Sequence, residues 1–563
     1  MSIERLSDPA AETAAQQMLF APLRSLGFAR KGAEEYYTAI SHSDDEIVRF
    51  GALCQTLAVC TLPAARIEEV LALCRHGAIK RRAYDYFQKE LDTPTSQRIA
   101  AIPAQSEDVA RTAQMQAELS FDFDGARDAA VALYRATGEI AHLIDAAHYA
   151  EHPAGWRAAA EWFVRAVAIF PLDPLPAAKL LLMLSEANQF DLVEELLRLL
   201  GRASLHPYLC GVFSGAVLLG RGDPKAALAA LAALRPPPDP APRVLKAARG
   251  HALRLAGEAS ERLGDFKGSY RYFVEMNRLE LSPGVDGKGA IKGALSDSAI
   301  TIPELPTLRR DDVVMMLGFA RSGTTLLELV LGNHPDIEAL EEPPTWSAAM
   351  AYVRSGRRSR AAAQTDPQSF FEAARNRYFD EVARHRQKPG AHFVVDKFPM
   401  RTLSAVPLKR MLPEQKYIFC IRHPFDVVLS CFRQRFVANS GMENFRTFQG
   451  SVEFYDFTMS QWFGVHTLAD ELVHYLKYDD LVTSFEGSVR GTLDFTGVEW
   501  DERVRDFAEY ADSRVAVTPS YQKIRKGLSL GVQTYWRNYG FLFQTPEAKP
   551  LHKWAEFFAY PTA

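Results

Sequence analysis

The chain has 563 residues, enough for two or three domains. Its apolar content of 47% and charged content of 24% are those of an ordinary globular protein. With 65 basic against 69 acidic residues the formal net charge is -4, which excludes the broad basic footprint of a nucleic-acid-binding chain. Any anion site must therefore be assembled from a few local cations. Six cysteines (Cys54, Cys60, Cys74, Cys210, Cys420 and Cys431) are scattered without a C-x-x-C pair, the pattern of reduced thiols rather than of a disulfide framework. The opening stretch MSIERLSDPAAETAAQQ carries no apolar signal-peptide core, and the longest apolar runs are too short to span a bilayer. The expectation is a cytoplasmic protein with no membrane span.

From residue 1 to about 284 the sequence predicts helix throughout. Ala, Leu, Glu and Arg dominate, and apolar positions recur every three or four residues, as over 159–169 and 192–200. Residues 1–150 read as a general helical region. Over 151–284 short Pro and Gly clusters divide the pattern into helical hairpins: FPLDPLP at 170–176, RGDP at 221–224 and RPPPDPAP at 235–242. One hairpin is more specific. Leu253, Gly257, Gly264, Ser269, Phe273 and Met276 follow the large, small, turn, small, core, core order of a tetratricopeptide repeat. Small residues there let two antiparallel helices approach, and the glycine turns the chain. The expectation is a tetratricopeptide-like array, which either presents a groove to a peptide or protein or serves as scaffolding.

Residues 285–311 are rich in Gly, Pro and Ser and read as a linker. From 312 to 563 the texture changes. The β-rich runs DVVMMLG, FVVD (393–396), KYIFCIR (416–422) and LVHYLKY (472–478) alternate with helices beginning near Thr324, Pro424, Asp480 and Asp501. That alternation predicts a mainly parallel sheet covered by helices. The fold class expected for the whole chain is an all-α helical-hairpin array followed by a P-loop-like α/β domain.

The junction after the first strand reads GFARSGTT, residues 318–325. Its G-x-x-x-x-G spacing is that of a phosphate loop, but Thr324 stands where a nucleotide-hydrolysing loop carries lysine. The glycines let successive N–H groups face an anion, and the helix that follows adds its positive end. Ser322, Gly323, Thr324 and Thr325 offer backbone and hydroxyl donors, and Arg321 adds a bidentate charge. A nucleotide hydrolase would also need an acidic strand end for magnesium. Asp396 has that place, but Lys397 follows it directly. The loop therefore reads as a grip on a single phosphate that needs no metal. Further on, in YIFCIRHPFDVVLSCFRQRF, Arg422 ends a strand and Ser430 lies about two helical turns later, with Arg433 and Arg435 beyond. Arg422 and Ser430 can converge on a further anion, or the cluster is the charged face of an amphipathic helix.

GFARSGTT, NHPDIEALEE, VDKFP, IRHPFDVVLS, and LKYDDLV with FTGVEW occur in this order over about 312–540. Together they resemble the sulfotransferases that use 3′-phosphoadenosine 5′-phosphosulfate (PAPS). The likeness is to tyrosylprotein sulfotransferases and to bacterial sulfotransferases with tetratricopeptide repeats. The resemblance implies PAPS as co-substrate, with PAP as the product left behind. Residues 321–325 would bind the 5′-phosphosulfate, Arg422 and Ser430 the 3′-phosphate, and Tyr478 would sit against the nucleoside. IRKGLSLG resembles the RKG element of cytosolic sulfotransferases, which assigns Arg525, Lys526 and Gly527 to the 3′-phosphate. Trp536 stands for the tryptophan that follows that element, some four residues late.

Sulfuryl transfer, like phosphoryl transfer, is an in-line displacement helped mostly by positioning and electrostatics. Two cations near the bridging oxygen would serve it, and Arg321 and Lys397 are the candidates. Lys397 otherwise reads as a surface lysine or a partner of Asp396. A hydroxyl acceptor also needs a base. The resemblance points to Glu342 in ALEEPP, with Glu341 its rival by one register step; the bland alternative is a solvated acidic turn. His334 and His423 each precede a proline and read as structural. The tyrosylprotein enzymes continue the acidic pair with Thr-Arg, whereas Pro343 and Pro344 follow here, and their late serine has no clean counterpart, Ser529 being near. The acceptor therefore stays open among a peptide or protein, a glycan and a small metabolite, and a homo-oligomer is compatible with the sequence. Two other readings stand beside this one: a P-loop-like nucleotide kinase or NTPase, and a non-catalytic helical-repeat interaction protein.

Overall fold

Proline and aspartate set the helix starts of the N-terminal half. Pro174, Pro207 and Pro224 occupy first helical positions, where a missing N–H costs nothing, and Asp173 and Asp223 cap by accepting from Leu175 N and Ala226 N. The computed structural model describes residues 19–562, except 24–25, 27–31, 61, 63, 90–92, 105, 120–121, 203–205, 239, 282–283, 360–365, 465–467 and 514–533. The chain divides into two compact units, Met1–Gly264 and Asp265–Ala563. In the first, all described regular structure is helical, from Ala33–Ile40 to Arg243–Arg262. Phe50, Leu53, Ile79, Phe87, Tyr134 and Leu143 share one of its cores. The expected breaks mark helix boundaries: Ile140–Ile169 ends before 170–176, where Pro174–Glu186 begins, Pro207–Gly220 ends before 221–224, where Pro224–Ala232 begins, and Arg243–Arg262 begins after 235–242. None of the six cysteines is in a disulfide.

The unit boundary differs from the sequence reading. The second helix of the expected repeat hairpin, Phe266–Glu280, belongs to the C-terminal unit. Its residues are committed to that unit. Ser269 shares a hydrogen bond of 2.8 Å with the Tyr539 hydroxyl, Asn277 Nδ2 donates to Phe432 O at 2.8 Å, and Glu280 pairs with Arg435 and Arg446. The stretch expected as a linker is also built in. Gly289–Ser298 is a helix, and its Asp297 takes Arg354 Nε at 3.1 Å. Beyond it the carbonyls of Ile300 and Pro306 accept from Arg410 and Arg375. Arginines satisfy an irregular backbone whose Gly and Ser content suggested a free segment.

The C-terminal unit holds a five-stranded parallel sheet: β1 Val313–Leu317, β2 Ile337–Glu341, β3 Phe393–Lys397, β4 Tyr417–Ile421 and β5 Val473–Lys477, in the order β2-β3-β1-β4-β5. β1, β3 and β4 are buried along their whole length, which is why β1 and β4, and β3 as far as Val395, read as apolar runs rather than alternating ones. β2 is the strand that the sequence reading did not anticipate. Its last residue, Glu341, belongs to the acidic pair for which a solvated turn was the alternative, and its Glu338 is buried and accepts from Lys388 N at 2.9 Å. The order reverses at β1, so the connections after β1, β3 and β4 meet at one carboxyl edge, where ligands of open α/β sheets sit.

At that edge Asp396 and Lys397 are successive residues of one strand, so their side chains point to opposite faces. Asp396 is fully buried and binds Arg401 through both oxygens, at 2.6 and 3.0 Å, with Thr345 Oγ1 at 2.9 Å. Asp396→Asn leaves Arg401 buried without its counter-charge. The expected loss is about 3–5 kcal/mol of stability, read as a lower denaturant midpoint.

Candidate active site

The loop after β1 is locked before any ligand is considered. Thr402 Oγ1 donates to Gly318 O at 2.6 Å, and Gly318 N donates back to it at 3.2 Å. Ser322 is buried, and its hydroxyl donates to Phe319 O at 2.7 Å while accepting from Phe319 N at 3.3 Å. The serine expected to face an anion thus fastens the loop to itself. Gly323 opens the helix Thr324–Gly332 with φ 98°, and a Cβ there would lie 2.4 Å from Tyr478 Cδ2. Both the backbone and the space demand glycine. Thr324 and Thr325 are buried in the first turn, where N–H groups lack intrahelical acceptors.

Arg321 precedes them with φ 71°, and Glu342 has φ 51°. They are two of only four non-glycine residues with left-handed backbones among the described residues, and such strain collects at functional sites. Arg321 Nε donates to Ser430 Oγ at 3.1 Å, and Arg422 Nη1 donates to Arg321 O at 3.3 Å. The Arg422 guanidinium lies 4.7 Å from the centre of the Tyr478 ring. Burial pushes Arg321 down to about 10, and repulsion from Arg422 and Arg433 adds to the shift. Arg422 Nε is buried with no acceptor among the described residues. Cations crowded in this way are an arrangement that an anion would relieve.

A second cluster lies at the ends of β2 and β3. Lys397 is fully buried, with Nζ 2.9 Å from Glu328 Oε2, 3.1 Å from Glu342 Oε1 and 3.8 Å from Glu341 Oε1. Burial alone would depress its ammonium, but Glu328, Glu342 and Glu341 outweigh it and hold it above the ordinary lysine range. Lys397 is therefore neither a surface residue nor the partner of Asp396. Register places it beside Met316 of β1 and Glu341 of β2, and Glu342 N donates to Lys397 O at 2.8 Å. The Glu341 side chain is 9% exposed and that of Glu342 38%, so Glu342 is the acid that solvent reaches.

The structure thus brings Arg321, Arg422, Ser430 and Tyr478 together, and separately Lys397 with Glu341 and Glu342. The two groups are linked by the loop and its helix. Arg525, Lys526, Gly527 and Ser529 lie outside the described residues. Both histidines are structural. His334 Nε2 donates to Glu499 O at 2.8 Å. His423 Nε2 donates to Pro561 O at 2.7 Å while its Nδ1 accepts from Phe425 N, and burial lowers it to about 4. Trp536 packs 5.1 Å from the His423 ring, and its backbone N–H donates to Asp426 Oδ1 at 3.0 Å. Arg435 is taken by Glu280. Sequence reasoning missed Thr402 and Glu328. Glu328 had a signal, a lone acid inside the apolar run LLELVL; Thr402 had none.

Residues 313–502 match the model of the sulfotransferase family. The match covers the loop, Lys397, both glutamates, Arg422, Ser430 and Tyr478. This part of the chain is a sulfotransferase-family domain. Among curated proteins, the chain is similar to an uncharacterized protein of Aquifex aeolicus (27% identity, over 40% of this chain and 30% of that one). It is also similar to protein-tyrosine sulfotransferase 2 of Gallus gallus (25%, over 34% and 53%) and to nodulation protein NoeE of Sinorhizobium fredii (30%, over 21% and 30%). The chain thus spans between 30% and 53% of the length of these relatives. The sulfotransferase domain of the Synechococcus PCC 7002 olefin synthase aligns over 46% of this chain and 99% of its own, at 20% identity and a TM-score of 0.34. Mouse sulfotransferase SULT7A1 complexed with PAP aligns over 44% and 84%, at 16% and 0.27. At these scores the structural likenesses add nothing to the family match.

In this sulfotransferase-family domain Gly323→Ala is expected to cost about 1–3 kcal/mol, read as a lower Tm. Adding Tyr478→Ala should restore part of the loss, because it removes the clash but not the backbone strain. A Gly323→Ala protein with unchanged Tm would show that the loop is not held as described.

Proposed function

We propose that the chain is a PAPS-dependent sulfotransferase that moves the sulfuryl group to a hydroxyl acceptor. The observation that carries this reading is the lysine-free phosphate loop, whose own arginine meets a second arginine from β4. Arg321, with Gly323, Thr324 and Thr325, would take the 5′-phosphosulfate, and Ser322 would hold the loop in shape around it. Arg422 and Ser430 would take the 3′-phosphate, and Tyr478 would face the nucleoside. Arg525, Lys526 and Gly527 are proposed as further donor contacts on the sequence resemblance alone.

The acceptor O–H gives its proton to the Glu342 carboxylate, and its oxygen bonds to sulfur. The sulfur–oxygen bond to the 5′-phosphate breaks, leaving the electron pair on the phosphate oxygen. Arg321 and Lys397 are the cations set near that charge. The curated relative named as a protein-tyrosine sulfotransferase favours a peptide or protein acceptor, presented by a tetratricopeptide-like helical half. The change to Pro343–Pro344 after the acidic pair keeps a glycan or a small metabolite in view. The nucleotide-hydrolase reading is the weaker one. Thr324 replaces its lysine, and Asp396, its magnesium acid, is spent on Arg401.

Two measurements test the reading. Arg422→Ala should weaken PAP binding about ten- to a hundred-fold, the worth of a charge-assisted contact, with the Tm retained; unchanged affinity removes Arg422 from the donor site. Glu342→Gln should lower sulfate transfer from labelled PAPS by about a hundred-fold or more while PAP still binds. If Glu341→Gln does so instead, the base is the neighbouring acid. A wild-type chain that binds no PAP would sink the proposal.

A further inference from the structure

Glu328 sits in the helix that starts at the phosphate loop, and none of its side chain reaches solvent. A carboxylate in an apolar helix is costly unless a cation answers it. Here the cation is Lys397, with Glu328 Oε2 nearer its Nζ, at 2.9 Å, than either other glutamate. The three acids are not equivalent. Glu342 lies past the end of β2, is 38% exposed and has a left-handed backbone, so it can turn to an acceptor. Glu328 lies on a helix whose every residue is buried, and it cannot.

We infer that Glu328 is a positioning residue: from the helix of the donor loop it anchors the Lys397 ammonium, so that lysine keeps its place and charge when Glu342 turns to the acceptor. This rests on the sulfotransferase reading. As Glu342 gains the acceptor's proton its negative charge is lost, and with it much of its hold on the ammonium. Glu328 takes no part in that proton transfer, and its charge persists. It also ties strand to loop, so Lys397 moves with the phosphates it serves rather than with the acceptor side.

Glu328→Gln keeps the shape and removes the charge. PAP affinity should stay within about twofold of wild type, while kcat falls about ten- to a hundred-fold, the range seen when a supporting contact is lost. An unchanged kcat, or a loss of PAP affinity in step with kcat, overturns the inference. A stability cycle with Lys397→Met needs no turnover. Glu328→Gln should lower the Tm of wild type but not of the Lys397→Met protein, and if it fails to fold alone, the double variant should recover. Equal losses in both backgrounds overturn the pairing. Absence of PAP binding in wild type refutes the sulfotransferase reading instead, and the cycle then reports on the ion pair alone.

Discussion

An ammonium with no solvent exposure must be answered by negative charge, and the carboxyl edge of the sheet is organised around that demand at Lys397. β3 supplies the lysine, the end of β2 supplies Glu341 and Glu342, and the helix after β1 supplies Glu328. The sheet order makes this possible, since β3 lies between β2 and β1. Strand alternation does the rest by sending Asp396 to the opposite face, where Arg401 meets it. Two buried ion pairs of opposite orientation thus leave one dipeptide. Each commits a neighbouring segment: Arg401 the turn after β3, and Glu328 the helix of the loop.

The arginines follow the opposite logic. Arg321 and Arg422 are brought together although they repel, and among their contacts are a hydroxyl, a carbonyl and an aromatic face. A lysine matched by three carboxylates and two arginines that repel each other both meet the segment that begins at the phosphate loop. The first arrangement holds protein together, whereas the second is costly until an anion arrives. That contrast separates a cation matched in advance by the protein from cations that an anion would match, and the helix Thr324–Gly332 belongs to both.

Most of this was legible where local chemistry decides. The loop, the strand ends at Lys397 and Arg422, and the Pro and Asp helix starts carry fixed backbone demands that residue types reveal. β2 was not legible, because IEALE shows neither the unbroken apolar run nor the clean alternation by which strands are recognised. Ser322 was read by composition as a ligand donor, and only the fold of the loop shows its hydroxyl turned back on Phe319. The partner of Lys397 was equally hidden. Adjacent residues suggested Asp396, and pairing across strand and helix supplied Glu328.

Helix Phe266–Glu280 has a consequence for how such chains are assembled from parts. The family likeness begins at residue 313, but the compact unit begins at Asp265. The intervening helices contribute Asn277 to the carbonyl of Phe432, Glu280 to Arg446, and Asp297 to Arg354. Segments that look like the tail of one module are masonry of the next. Recombination at the motif's edge would remove supports from the helix that carries Ser430, so the natural seam for exchanging N-terminal halves lies at the Gly264 turn.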